Sequence, residues 1–119
     1  QAHAGVVNIS SVASMMGRGS SIAYMASKGA VNAMTVGLAR ALAPKIRVNA
    51  VAPGPIPTEN FNACMRTEDE ARREALREMI AIPLQRYGRE EDIAAAALYL
   101  VSPASGWVTG QCLYVAGGL

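Results

Sequence analysis

Short apolar runs alternate with amphipathic stretches along this chain. Gly5-Val6-Val7-Asn8-Ile9-Ser10 is a compact apolar run that predicts a buried strand. A Gly/Ser-rich loop is expected over 14–21, and a helical pattern then fills 22–42. Three stripes run along that helix. Ala26, Ala30, Ala33, Gly37 and Ala41 are small, and Val31, Met34, Leu38 and Leu42 are large and apolar. Two apolar stripes predict burial on two sides. Tyr24, Lys28, Asn32 and Thr35 form a third, polar face, and Pro44 ends the helix.

A second strand is predicted over 46–52, broken by Pro53-Gly54-Pro55. The polar stretch 56–66 reads as irregular. Thr67 and Glu70 have capping-box spacing and open a helix to about Ala81, with Glu68/Arg72 and Asp69/Arg73 as favourable pairs. Met65, Met79 and Ile82 read as helix packing, with an apolar pocket lining as the weaker reading. Another helix starts near Arg89, where Glu90, Glu91 and Asp92 suit the positive end of the helix dipole. Its apolar stripe is Ile93, Ala96, Ala97 and Leu100. A turn over 106–110 leads to a last strand at 112–116.

Strands joined by crossover helices imply an α/β architecture with about three parallel strands. Neither a repeat nor a linker is evident. Three strands make a thin sheet, and the first would be left as a flat apolar edge, which is normally paired or covered.

With 119 residues, 51% of them hydrophobic, there is material for one packed domain and no case for disorder. The formal charge of +2 is spread along the chain, which argues against a nucleic-acid partner. No apolar stretch reaches the roughly 20 residues that cross a membrane, and no signal peptide is evident. Cys64 and Cys112 read as two reduced thiols of a cytoplasmic protein. The only histidine is His3, too little for a His-based catalytic or metal site. The glycosylation triplet Asn8-Ile9-Ser10 lies inside a strand pattern and reads as a chance match.

The candidate chemistry lies in Ser11, Tyr24 and Lys28. Tyr24 and Lys28 are four apart on a helix, so they share a face. Ser11 follows the end of a strand, where open α/β sheets place their ligands. A free phenol has a pKa of about 10, and a neighbouring ammonium favours its ionised form. Such a phenol exchanges protons nearer neutrality, where acid–base groups work best. Ser11 would hold the substrate oxygen. On residues alone, a chance Tyr-x-x-x-Lys and an ordinary loop serine remain open.

Five segments in order resemble the short-chain dehydrogenase/reductase family: Val7-Asn8-Ile9-Ser10-Ser11-Val12-Ala13; Tyr24-Met25-Ala26-Ser27-Lys28-Gly29-Ala30; Val48-Asn49-Ala50-Val51-Ala52-Pro53-Gly54; Pro83-Leu84-Gln85-Arg86-Tyr87-Gly88 through Leu100; and Val108-Thr109-Gly110-Gln111 to Gly117-Gly118. The resemblance spans nearly the whole chain. It extends to 3-oxoacyl carrier-protein reductases and to sugar or polyol dehydrogenases. It implies the C-terminal half of a Rossmann-type, doubly wound parallel sheet. It further implies NAD or NADP as cofactor and a small carbonyl or alcohol as substrate. Ser11, Tyr24 and Lys28 would be catalytic, with Tyr24 and Lys28 also touching the nicotinamide ribose. Pro53, Gly54, Ile56 and Thr58 would lie against the nicotinamide. The helix 22–42 and the last strand would be surfaces of a homo-oligomer, a dimer or tetramer. Ala116 departs from the Asp or Asn that many members carry before Gly117-Gly118.

The family's Gly-rich pyrophosphate turn, the residue that selects NAD or NADP, and its catalytic Asn have no counterpart here. Gly17 and Gly19 follow the wrong strand. The expectation is therefore that the N-terminal, cofactor-binding half lies outside these 119 residues. Two classes stay open: an oxidoreductase of which this is the catalytic half, or a non-catalytic remnant that only associates. The extended branch of sugar epimerases and dehydratases is disfavoured by the short ending at Gly117-Gly118-Leu119.

Overall fold

A computed structural model describes residues 4–119; Gln1 and His3 lie outside them. Three parallel strands form one sheet in the order β1 (Ala4–Ile9), β2 (Ile46–Pro53), β3 (Cys112–Val115). The architecture is the α/β parallel sheet that the alternation of patterns predicts. β2 is central, and Val48 through Ala52 are completely buried, which is why its run carries no exposed polar position.

Helix α2 (Ile22–Leu42) joins β1 to β2. Between β2 and β3 come α3 (Glu59–Met65), α4 (Glu70–Ile80), α5 (Glu90–Val101) and a 3-10 turn at Pro103–Ser105. On β1, the Asn8 amide donates to Thr35 Oγ1 of α2 at 3.0 Å, whereas a Cβ on Gly5 would meet Val101 of α5 at 3.4 Å. Residues 5 and 8 point to opposite faces of a strand, so α2 and α5 cover opposite faces. The chain steps the same way across the sheet twice, along different faces. The two crossovers therefore have opposite hands, and one is the hand that parallel connections seldom take.

The packing of α2 departs from expectation. The polar face, not the apolar stripes, lies on the sheet: Thr35 is 1% exposed and Ala39 2%. Ala26, Ala30, Ala33, Gly37 and Ala41 are exposed, and so are Met34, Leu38 and Leu42. The polar groups tolerate burial because each finds a partner. Thr35 Oγ1 donates to Val31 O at 2.8 Å while accepting from Asn8, and the Asn32 amide donates to Ser14 Oγ at 2.8 Å.

Three local readings also need correction. The loop over 14–21 begins as a short helix, α1 (Ala13–Met16), closed by Gly17 in the left-handed region at φ 66°. The stretch read as irregular contains α3, whose N-cap Thr58 accepts from Phe61 N at 3.2 Å. Asp69, not Thr67, caps α4, accepting from Ala71 N at 2.8 Å. Thr67 is buried and donates to Asn62 Oδ1 at 3.1 Å instead. Asp69 is thus engaged as a cap. Arg73 donates to the carbonyls of Thr67 and Glu68, so the expected Asp69/Arg73 pair does not form. Among the described residues the ion pairs are Glu74–Arg77 and Arg86–Asp92; Glu68/Arg72 is not one of them.

α5 follows its predicted stripe, with Ile93, Ala96, Ala97 and Leu100 turned inward. Its carboxyl end is fixed by Arg47 of β2, which is 6% exposed. That guanidinium donates to the carbonyls of Leu100 (3.1 Å), Ser102 (3.2 Å), Ser105 (2.9 Å) and Val108 (3.1 Å). β1 is an edge strand, with Val6 and Ile9 exposed, as the thin sheet predicts.

Candidate active site

The parallel ladder runs on past the end of β1. Ser10 N donates to Val51 O at 2.8 Å, and Val12 N donates to Pro53 O at 3.1 Å. Since Ile9 pairs with Val51, Ser11 stands level with Pro53 at the carboxyl ends of the strands. Its hydroxyl accepts from Ala13 N at 3.1 Å, a local turn just before α1. One lone pair is thereby occupied, and the hydroxyl hydrogen stays available to a ligand.

α2 begins beside this point. Ser21 is its N-cap, accepting from Tyr24 N at 3.0 Å. Tyr24 and Lys28 stack one turn apart, with Lys28 Nζ 5.8 Å from the centroid of the Tyr24 ring. Lys28 Nζ donates to Ile9 O at 3.1 Å, which ties the ammonium to the strand end two residues before Ser11. Gly19 brings the intervening loop down between α1 and α2. A Cβ there would lie 3.0 Å from Ala13 Cβ, 3.2 Å from Met25 Cγ and 3.7 Å from the Tyr24 ring. Ser11, Tyr24 and Lys28 are therefore gathered at one end of β1. Tyr24 is 39% exposed.

The Pro53-Gly54 turn closes against β3. Gly54 N donates to Val115 O at 2.9 Å, and a Cβ on Gly54 would sit 2.8 Å from Ala116 Cα. Only glycine allows that approach. Ile56 packs on Gly88, where a Cβ would fall 3.0 Å from its Cγ1. The Ile56 carbonyl accepts from Thr58 N at 2.7 Å, and the Thr58 hydroxyl is occupied as the cap of α3.

A separate cavity of about 200 Å³ opens on the α5 side, between Gly54, Ile82, Arg86, Asp92 and Ala116; Ser11, Tyr24 and Lys28 are not in its wall. The Arg86 guanidinium, with the Arg89 backbone N–H behind it, holds the Asp92 carboxyl below the ordinary carboxylate range. Ile82 is buried against Gly117 and also lines this cavity, so packing and pocket lining coincide there. Met65 and Met79 are exposed, against the packing reading, because α3 and α4 turn them away from the core. Sequence reasoning missed Ser14 and Gly19, which shape the loop around Ser11. The recurrence of Asn32 one turn beyond Lys28 was the available signal that the polar face is an inner one.

The chain is similar to known proteins in sequence and fold. A family model described as enoyl-(acyl carrier protein) reductase matches residues 1–119. Glucose 1-dehydrogenase 2 of Bacillus subtilis is 44% identical over 115 residues, which are 96% of this chain and 43% of that protein. The 3-oxoacyl-(acyl-carrier-protein) reductase of Thermotoga maritima is 42% identical over 120 residues, covering 100% of this chain and 46% of the relative. A gluconate 5-dehydrogenase from Burkholderia cenocepacia, solved with NADP and tartrate, superposes with a TM-score of 0.84 at 36% identity; the match covers 96% of this chain and 44% of that one. The chain thus spans less than half the length of the relatives it matches. The family match over the whole chain, the identity to these relatives and the likeness of fold agree, and the chain belongs to the short-chain dehydrogenase/reductase family.

Proposed function

We propose that this chain is the C-terminal, catalytic part of an NAD(P)-dependent oxidoreductase that interconverts a carbonyl and a secondary alcohol. The observation that carries this reading is the stacking of Lys28 on Tyr24 at the strand end that leads into Ser11. In the reducing direction, Ser11 donates its free hydroxyl hydrogen to the substrate oxygen and fixes its position. Tyr24 Oη gives up its proton to that oxygen as negative charge builds there. The Lys28 ammonium stabilises the phenolate that remains. In the oxidising direction Tyr24 takes the alcohol proton. A positioned acid or base of this kind contributes about a hundred- to ten-thousand-fold to rate.

The residues present fit the nicotinamide and ribose end of a dinucleotide. Lys28 uses one of its three N–H donors on Ile9 O, leaving two for ribose hydroxyls. The Ile56 N–H meets no acceptor among the described residues, beside a turn that only glycine can make. Pro53, Gly54, Ile56 and Thr58 would lie along the nicotinamide. The bound cofactor supplies or accepts the hydride. Nothing among the described residues offers a glycine-rich cradle for the pyrophosphate, so that function falls to the N-terminal half of the same domain. NAD and NADP both fit what is present. The protein is read as a cytoplasmic homo-oligomer, dimer or tetramer, whose exposed α2 and β3 surfaces serve association.

Tyr24→Phe in the full-length protein tests the reading. Turnover is expected to fall by at least about a hundredfold with the thermal midpoint unchanged, because one proton-bearing oxygen is lost. Near-normal rates would remove Tyr24 from the chemistry.

A further inference from the structure

We infer that Ser14 and Asn32 are positioning residues that hold Ser11 in register with Tyr24 and Lys28. The inference rests on the roles proposed above for those three side chains. Ser11 lies in a loop between β1 and α1, and it is its neighbours that are tied to the sheet, Ser10 N–H on Val51 O and Val12 N–H on Pro53 O. Its carbonyl accepts the Ser14 hydroxyl hydrogen at 2.7 Å. Ser14 Oγ in turn accepts from Asn32 Nδ2 at 2.8 Å, across 18 residues of chain. Asn32 Oδ1 accepts from the Cys112 thiol of β3 at 3.7 Å.

All three bonds donate in one direction, from β3 through α2 to Ser11. That direction fixes the Asn32 amide. Turned over, it would set its oxygen against Ser14 Oγ, whose single hydrogen is already given to Ser11. A bond from Ser14 to the carbonyl three residues before it is ordinary for a short helix. It does not account for an amide aimed at the same hydroxyl from α2. Asn32 is one turn beyond Lys28. One helix therefore carries Tyr24 and Lys28 and also grips the loop that bears Ser11, so the separations among the three are set by one rigid element. The Ser11 hydroxyl accepts from Ala13 N, within the same 11–14 turn, and a rotation of that turn would re-aim its hydrogen.

The test is a double-mutant cycle in the full-length protein, assayed with an acetoacetyl thioester or D-glucose, whichever turns over faster. Ser14→Ala and Asn32→Ala are each expected to lower kcat/KM for the carbonyl or alcohol about tenfold, the scale of one lost hydrogen bond. The cofactor KM should stay within about twofold, and Ser14→Thr should restore most of the rate. In a Ser11→Ala background the same changes should cost less than about twofold, because their effect passes through Ser11. Additive losses, unchanged single variants, or a cofactor KM that rises in step would overturn the inference. Asn32→Ala carries the cycle alone if Ser14→Ala does not fold. A fully active Tyr24→Phe control, or no turnover of either probe by the unaltered protein, would instead remove the reading beneath it.

Discussion

Gly54 marks the point at which the turn after β2 closes on β3, and the constraint on it is steric. An added Cβ would fall 2.8 Å from Ala116 Cα and 2.9 Å from Ala116 Cβ, with backbone on one side and no flexible side chain to yield. Gly54→Ala is therefore expected to destabilise the full-length protein by about 1–3 kcal/mol, read as a lower denaturant midpoint. Asp92 has a different sensitivity. Its carboxyl is held low by the Arg86 hydrogen bond and then by the Arg89 backbone N–H. A group whose folded pKa is depressed contributes stability above its unfolded pKa of about 4 and loses it as pH falls through the folded value. The pair is exposed, so the contribution is small. Asp92→Asn should flatten the fall in urea midpoint between about pH 5 and pH 3; an unchanged slope would show that the pair is energetically silent. The adjacency of Tyr24 and Lys28 was legible because helix geometry alone brings them together. Ser14 and Asn32 were not, since their contact spans 18 residues.

α2 shows how far an amphipathic pattern can mislead. Its two apolar stripes outweigh its polar face, yet the polar face is the one on the sheet. Asn8, Ser14 and Val31 O supply partners there, and a satisfied polar group costs little to bury. α5 buries the stripe its pattern predicts, leaving Leu98 and Val101 exposed, and its carboxyl end is held by Arg47. That cation has no carboxylate partner among the described residues; its terminal nitrogens donate to backbone carbonyls and to the Ser105 hydroxyl at 2.9 Å, while its Nε is buried without an acceptor among them. Arg47→Met should strand these buried acceptors together. The expected loss is about 2–4 kcal/mol, with faster proteolysis within 102–110. A variant as stable as the parent would show that water replaces the guanidinium. The start of α5 was legible from its acidic first turn. At α3 the signal is shorter, a single Thr58 cap and one acidic residue, Glu59, inside a polar stretch.

At the scale of the molecule, β1 is an edge strand with exposed Val6 and Ile9, and α2 turns Met34, Val36 and Leu38 to solvent. An open apolar edge of this kind is a pairing surface. It fits the reading in which an N-terminal half supplies the next strand and the pyrophosphate cradle. Residues 1–119 alone are accordingly expected to bind NAD(P)H weakly or not at all in a fluorescence titration. A micromolar affinity would show that the cradle is dispensable. The opposite hands of the two crossovers arise at this scale too. Strand order alone does not reveal which face a connecting helix takes, and the usual preference for right-handed connections would put both helices on one face.

Local periodicity and turn residues were enough to establish the strands, the three long helices, the parallel sheet and the adjacency of Tyr24 to Lys28. The strands, the helices and that adjacency depend on interactions within a few residues of chain, and the parallel sheet follows from the helices that separate the strands. Tertiary structure alone decided which face of α2 is buried, that Ser11 stands level with Pro53, and that Asn32 reaches Ser14. Each depends on partners brought together across the sheet, where the satisfaction of buried polar groups outranks the local hydrophobic pattern.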